Sequence, residues 1–303
     1  MPFRLRTLLT SLLLTLPALP ASALQLEASV KPLQLVAAAL ADGIAEPGLL
    51  VPPDASPHHY ALKPSDMRRI AAADLIVWVG PQLEQFLVKP LTQSDAHILQ
   101  LMKEEPEAAA EQDDDHGAAE EHHHHDHQGA DAHIWMDPVL MLEAAEQIRD
   151  ALIELAPEQS DRLAGNYERF AQSLLARDRE LRERLAPLSD RGFFVFHDGY
   201  GRFVEHYGLK QLGYFTVDPG RQPGARHLGE IRSQLSEQQA VCVFSEPQFR
   251  AAVVAAVTEG TGVRHGELDP LARGIEPGPD AYLEYLDSLA NAFERCLAPD
   301  RAP

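Results

Sequence analysis

Short apolar strands alternate with helices along most of this chain, and no other feature restricts its fold so tightly. Residues 24–30, 48–51 and 74–79 read as strands, and residues 33–41 and 65–73 read as helices between them. A strand that reaches the next through a helix returns parallel to it. The reading is therefore α/β, with mostly parallel sheets flanked by helices. The succession from Ile70 to Pro81-Gln82 (helix end, strand, Pro-Gln turn, helix) recurs from Leu235 to Pro247-Gln248. Two similar lobes are expected, with a chance match between common βα units as the alternative. Between them, Leu163, Tyr167, Phe170, Leu174, Leu181 and Leu185 fall on one stripe of a helix starting near Pro157. At 1.5 Å per residue it would run about 43 Å, long enough to bridge two lobes and limit their movement. A second stripe (Tyr282, Leu286, Leu289, Phe293, Cys296) marks a last helix. The expected division is 24–156 for the first lobe, 157–187 for one long rigid connecting helix and 188–303 for the second lobe.

Two segments stand outside this pattern. Arg4 and Arg6 precede an apolar run at 8–19 that is too short and too broken by proline to span a bilayer, and Ala21-Ser22-Ala23 supplies small residues for a cleavage site. Residues 1–23 thus read as a secretory signal peptide, with a membrane anchor as the alternative. No Cys lies near the cut, so the mature chain is expected to be soluble and free of lipid. In an exported chain the pair Cys242 and Cys296 suggests a disulfide, worth about 4 kcal/mol for a loop of about 54 residues; two buried free thiols are the alternative.

The other outlier is about 104–131, with eleven acids and no Lys or Arg in a chain of net charge −20. Lacking aromatic and β-branched residues, it cannot offset its ordering entropy and reads as a disordered surface loop. Such charge disfavours nucleic acid as a partner and favours cations. The loop carries His116, His122, His123, His124, His125 and His127 among Asp113, Asp114, Asp115 and Asp126. Imidazoles among carboxylates suit zinc, copper or nickel, so this auxiliary segment is expected to contact metal weakly, for capture or sensing.

Three further histidines stand where strands end or meet loops. His58 follows the strand at 48–51, His133 opens His133-Ile134-Trp135-Met136-Asp137-Pro138, and His197 ends Phe193-Phe194-Val195-Phe196. Ligands of open α/β sheets collect at the carboxyl ends of strands. Asp269, in Leu268-Asp269-Pro270-Leu271, is a fourth candidate. His59 reads as surface, and His97, His206, His227 and His265 as surface or structural.

These segments resemble the periplasmic zinc-binding components (ZnuA type) of high-affinity zinc ABC importers, in the metal-binding solute-binding protein superfamily. The resemblance rests on Ala55-Ser56-Pro57-His58-His59-Tyr60 with Lys63-Pro64-Ser65-Asp66, the strand at 74–79, His133-Ile134-Trp135-Met136-Asp137-Pro138, Phe196-His197-Asp198-Gly199-Tyr200 and Leu268-Asp269-Pro270-Leu271. It implies two lobes on one rigid helix with zinc in the cleft, held by His58, His133 and His197, with Asp269 or water fourth. It also implies delivery of Zn2+ to an inner-membrane ABC permease by a periplasmic monomer without enzymatic activity. Some zinc-specific relatives carry Glu before the first His; here Pro57 has no ligating atom. Manganese-binding relatives typically carry a carboxylate where this chain has His197. The alternatives are a periplasmic metal buffer or chaperone, a manganese-type receptor and a zinc hydrolase.

Overall fold

The computed structural model describes residues 24–103, 131–220, 223–237, 240–249 and 252–298. The signal-peptide reading at 1–23 and all six histidines of the loop lie outside these residues. The first lobe runs β1 (Leu26–Ala28), α1 (Lys31–Leu40), β2 (Gly48–Leu49), α2 (Pro64–Ala72), β3 (Leu75–Trp78), α3 (Val88–Leu91), β4 (His97–Gln100) and α4 (Pro138–Leu155). After the long α5 (Ser160–Leu185) come β5 (Gly192–His197), α6 (Gly201–Tyr207), β6 (Lys210–Thr216), α7 (Ala225–Glu237), β7 (Cys242–Ser245), α8 (Ala252–Thr258), β8 (Arg264–Glu267) and α9 (Ala281–Leu297).

The sheets are four-stranded, ordered β2-β1-β3-β4 and β6-β5-β7-β8, with every pair parallel. The two orders are the same when each lobe is counted from its own first strand. The recurring sequence pattern falls on β3 and β7, which occupy the same place in both. Central strands are buried and mostly apolar because both faces are covered, with Glu27 of β1 paired to Arg69 of α2 as the exception in the first sheet. In β5, Phe193 and Val195 join the large core while Phe194 and Phe196 face a smaller cluster beneath α7 and α8. In β3, Leu75 and Val77 face the large core, and Ile76 and Trp78 pack against Ile70 of α2.

The connecting segment differs from a uniform helix at its start: Pro157–Gln159 is a 3-10 turn, and α5 follows for 26 residues. Leu163, Phe170, Leu174, Leu181 and Leu185 are buried as the stripe requires, and Tyr167 is half-buried under the Arg149 guanidinium. Asp161 in the first turn and Arg182 and Arg184 in the last complement the helix dipole.

The helix is not the sole connection between the lobes. One continuous core runs from Leu26, Val36 and Val77 to Phe193, Phe244 and Phe293. The last helix, α9, returns to pack on α1 and α5. Trp135 Nε1 donates to the Pro270 carbonyl at 2.9 Å, and Tyr282 Oη donates to the Trp135 carbonyl at 3.0 Å. The disulfide Cys242–Cys296 fixes α9 to β7, with Cα atoms 5.9 Å apart.

Candidate metal centre

His58 stands in the loop after β2. That loop is fixed at its far end by Asp66, which accepts hydrogen bonds from the Lys63 N–H (2.8 Å) and the Tyr60 hydroxyl (2.9 Å), so the Tyr60…Lys63-Pro64-Ser65-Asp66 motif anchors it at the start of α2. His133 precedes a 3-10 turn at Ile134–Met136, and α4 begins directly after, capped by Asp137 accepting from the Val139 N–H at 2.8 Å. His197 is the last residue of β5.

The structure brings these three imidazoles together. His133 Nε2 lies 3.3 Å from His58 Nε2 and 3.1 Å from His197 Nε2, and one ligand nitrogen from each lies within 4.8 Å of the others. The outer nitrogens are held. His133 Nδ1–H donates to Asp131 Oδ1 at 2.7 Å, and the same oxygen accepts the His133 backbone N–H at 3.0 Å. His197 Nδ1–H donates to Glu246 Oε1 at 2.8 Å. Donation from Nδ1 fixes the tautomer and turns the Nε2 lone pair inward, the arrangement of metal-ligating histidines. Gly199 completes the packing: a Cβ there would stand 2.5 Å from His197 Nε2.

Electrostatics differ across the three. Burial, then the neighbouring His133 and His197, push the His58 imidazole down to about 3, so it is neutral at pH 7. His197 is raised: burial lowers it, but the charge and hydrogen bond of Glu246, with Asp198 and Asp131, outweigh that. Burial raises Asp131, yet its bonds to His133 and the nearby Arg202 bring it down to about 2. Beside the imidazoles is a cavity of about 10 Å3, room for one water-sized group, lined by Pro57, Trp135, Pro219, Glu246, Pro270 and Leu271.

Asp269 is not part of the group. One of its oxygens accepts from Gln248 Nε2 (2.8 Å) and the Leu271 N–H (3.0 Å), and the other accepts from the Arg273 N–H (2.7 Å). Those bonds organise the turn that carries Pro270 and Leu271 to the cavity wall. His59 is more than half exposed and faces Asp218. His97 lies exposed on the edge strand β4, and His206 is buried between Asp137 and Asp178. His227 meets the Tyr214 carbonyl, and His265 meets Thr258.

Sequence reading missed Asp131 and Glu246. Asp131 falls at the end of the acidic stretch at 104–131, and its spacing of two from His133 is the available signal. Glu246 gave none beyond its place after β7, the neighbour of β5.

The chain matches the family described as "Zinc-uptake complex component A periplasmic" (ZnuA) over residues 27–296. The chain belongs to the ZnuA family. Among its relatives, the high-affinity zinc uptake system protein ZnuA of Yersinia pestis is 44% identical over 285 residues, covering 89% of this chain and 90% of that protein. The protein of the same name from Haemophilus ducreyi is 40% identical, covering 89% and 92%. A solved crystal structure of ZnuA superposes with a TM-score of 0.76 at 24% identity, covering 91% of this chain and all of that one, which places this ZnuA-family chain in the same fold.

Proposed function

We propose that the chain is a periplasmic zinc receptor: it captures Zn2+ between its lobes and delivers it to an inner-membrane ABC permease. One observation carries this reading. Zinc takes imidazole nitrogens at about 2.0–2.1 Å, so tetrahedral ligands stand about 3.3 Å apart. The His58–His133 and His133–His197 separations are 3.3 and 3.1 Å, with the ligands drawn from both lobes. Three imidazole nitrogens suit zinc, whereas a manganese site favours oxygen donors. With Asp269 occupied in its turn, water is the fourth ligand in the 10 Å3 cavity.

Within this reading residues 1–23 are removed on export, and no helix among the described residues is long and apolar enough to cross a membrane. Residues 24–156, 157–187 and 188–303 form first lobe, connecting helix and second lobe of a monomer. His116, His122, His123, His124, His125 and His127 bind zinc weakly and assist capture or sensing. A zinc titration of the mature chain, beside a version lacking residues 111–130, tests this. One tight site is expected to survive the deletion while weaker ones vanish. Loss of the tight site with the loop would reject the reading, and unchanged zinc uptake after deletion of the gene would favour a buffer or chaperone.

A further inference from the structure

Beyond the three imidazoles, a polar pair bridges the lobes beside the cavity. Pro57 and His58 of the first lobe and Pro219 of the second line that cavity. Just after His58 in one segment and just before Pro219 in the other, His59 Nε2–H donates to both carboxylate oxygens of Asp218, each at 2.9 Å, across 159 residues of sequence. The acceptor is built to receive it. Gly220 N–H donates to Asp218 Oδ1 at 2.9 Å, Thr216 Oγ1–H donates to the Asp218 carbonyl at 2.8 Å, and Thr216 ends β6 directly beside His197 of β5. The His59 ring rests against Gly220 so closely that a Cβ there would stand 2.7 Å from its Cδ2.

We propose that His59 and Asp218 form a latch that sets the rate at which zinc is loaded and released, without ligating it. The inference rests on the receptor reading and concerns the same cleft. His59 belongs to no ligand group, because its Nε2 is turned to Asp218 and away from the three imidazoles. Pro57 and Pro219 stand on opposite walls of the partly open cavity beside the imidazoles, so parting the segments at 57–59 and 218–220 widens the approach of a hydrated divalent cation. Parting them breaks the His59–Asp218 bonds. Since His59 Nε2 is spent on Asp218 and the pair supplies no ligand atom, it weights opening and closing more than the bound ion's contacts. Loading and release should then change together. An exposed hydrogen-bonded pair of this kind shifts such an equilibrium by roughly 2- to 5-fold.

The test uses the full mature chain, its His59→Ala and Asp218→Ala variants and the double variant, each given one equivalent of Zn2+. Stopped-flow transfer to a fluorescent chelator reads release, mixing with free Zn2+ reads loading, and chelator competition reads affinity. Each single variant is expected to raise both rates roughly 2- to 5-fold with affinity within about 2-fold, and the double should be no faster than the faster single. Gly220→Ala, which displaces the ring while keeping both partners, should act in the same direction. Rates equal to the parent's, faster release without faster loading, or multiplying effects in the double variant would overturn the latch alone. A parent chain without one tight zinc site would overturn the receptor reading and the latch with it.

Discussion

His133 and His197 are 64 residues apart and belong to different lobes, yet their Nε2 atoms lie 3.1 Å apart. Each is oriented from behind by a carboxylate, Asp131 and Glu246 respectively. Two inward lone pairs at that distance repel unless a cation or a shared proton lies between them, so removing one imidazole removes a ligand and not merely a hydrogen bond. His197→Ala is expected to weaken zinc binding by about 100-fold or more, roughly 3 kcal/mol, in a chelator-competition assay. The metal-free variant should still unfold in one cooperative transition.

Glu246 sets the pH range of loading. His197 is raised by Glu246, so above the ordinary histidine value of 6.5 part of the metal-free protein still carries a proton there. Zinc must displace that proton. Apparent affinity is therefore expected to fall as pH drops through a midpoint above 6.5. Glu246→Gln keeps the shape and removes the charge. It should move that midpoint to lower pH and, by loosening the ring, cost about 10- to 100-fold in affinity at pH 8. Competition titrations between pH 5.5 and 8.5 read both effects.

His58 acts on stability in the opposite sense. Its folded value, about 3, lies below the unfolded value of 6.5. Between those limits the unfolded chain binds a proton that the folded chain does not, so this residue's contribution to stability is intact above 6.5 and declines as pH falls towards 3. His58→Gln removes that decline. In urea unfolding of the metal-free proteins, the variant's stability relative to the parent should improve steadily from pH 7 to pH 4.5.

Trp135 ties the lobes one step from the metal ligands. It is fully buried, and Trp135→Phe would leave the Pro270 carbonyl with only the Tyr285 hydroxyl as partner, at 3.1 Å. A loss of about 1–3 kcal/mol is expected from chemical denaturation. Because one core runs through both lobes, unfolding should remain a single transition and not split in two.

The legible part of this protein was whatever local periodicity determines. The buried central strands are legible as the first strand at 24–30, the apolar runs of β3 and β5 and the recurring unit at 235–248, and α5 is legible from its stripe. The strands β4 and β6 are not legible, because each is partly buried and mixes polar residues (His97 and Gln100; Lys210 and Gln211) with its apolar ones. His58, His133 and His197 could be placed because each sits where a strand ends or a loop begins. Asp269 shares that kind of position, but whether a carboxylate turns to a cation or to nearby N–H groups depends on the turn's backbone; here the Leu271 and Arg273 N–H groups hold it. Glu246 reaches His197 only because β7 pairs with β5, a partnership that sequence spacing does not express. The shared core has the same origin: α9 lies against α1 by tertiary packing that no stripe on either helix specifies.

The convergence of His58, His133 and His197 on one ion is tested most directly by anomalous diffraction at the zinc edge from crystals of the loaded, mature protein. The expected result is one strong peak about 2.0–2.1 Å from the Nε2 atoms of all three residues, with Asp269 still bonded within its turn. A peak elsewhere, with the three imidazoles unligated, would contradict the account.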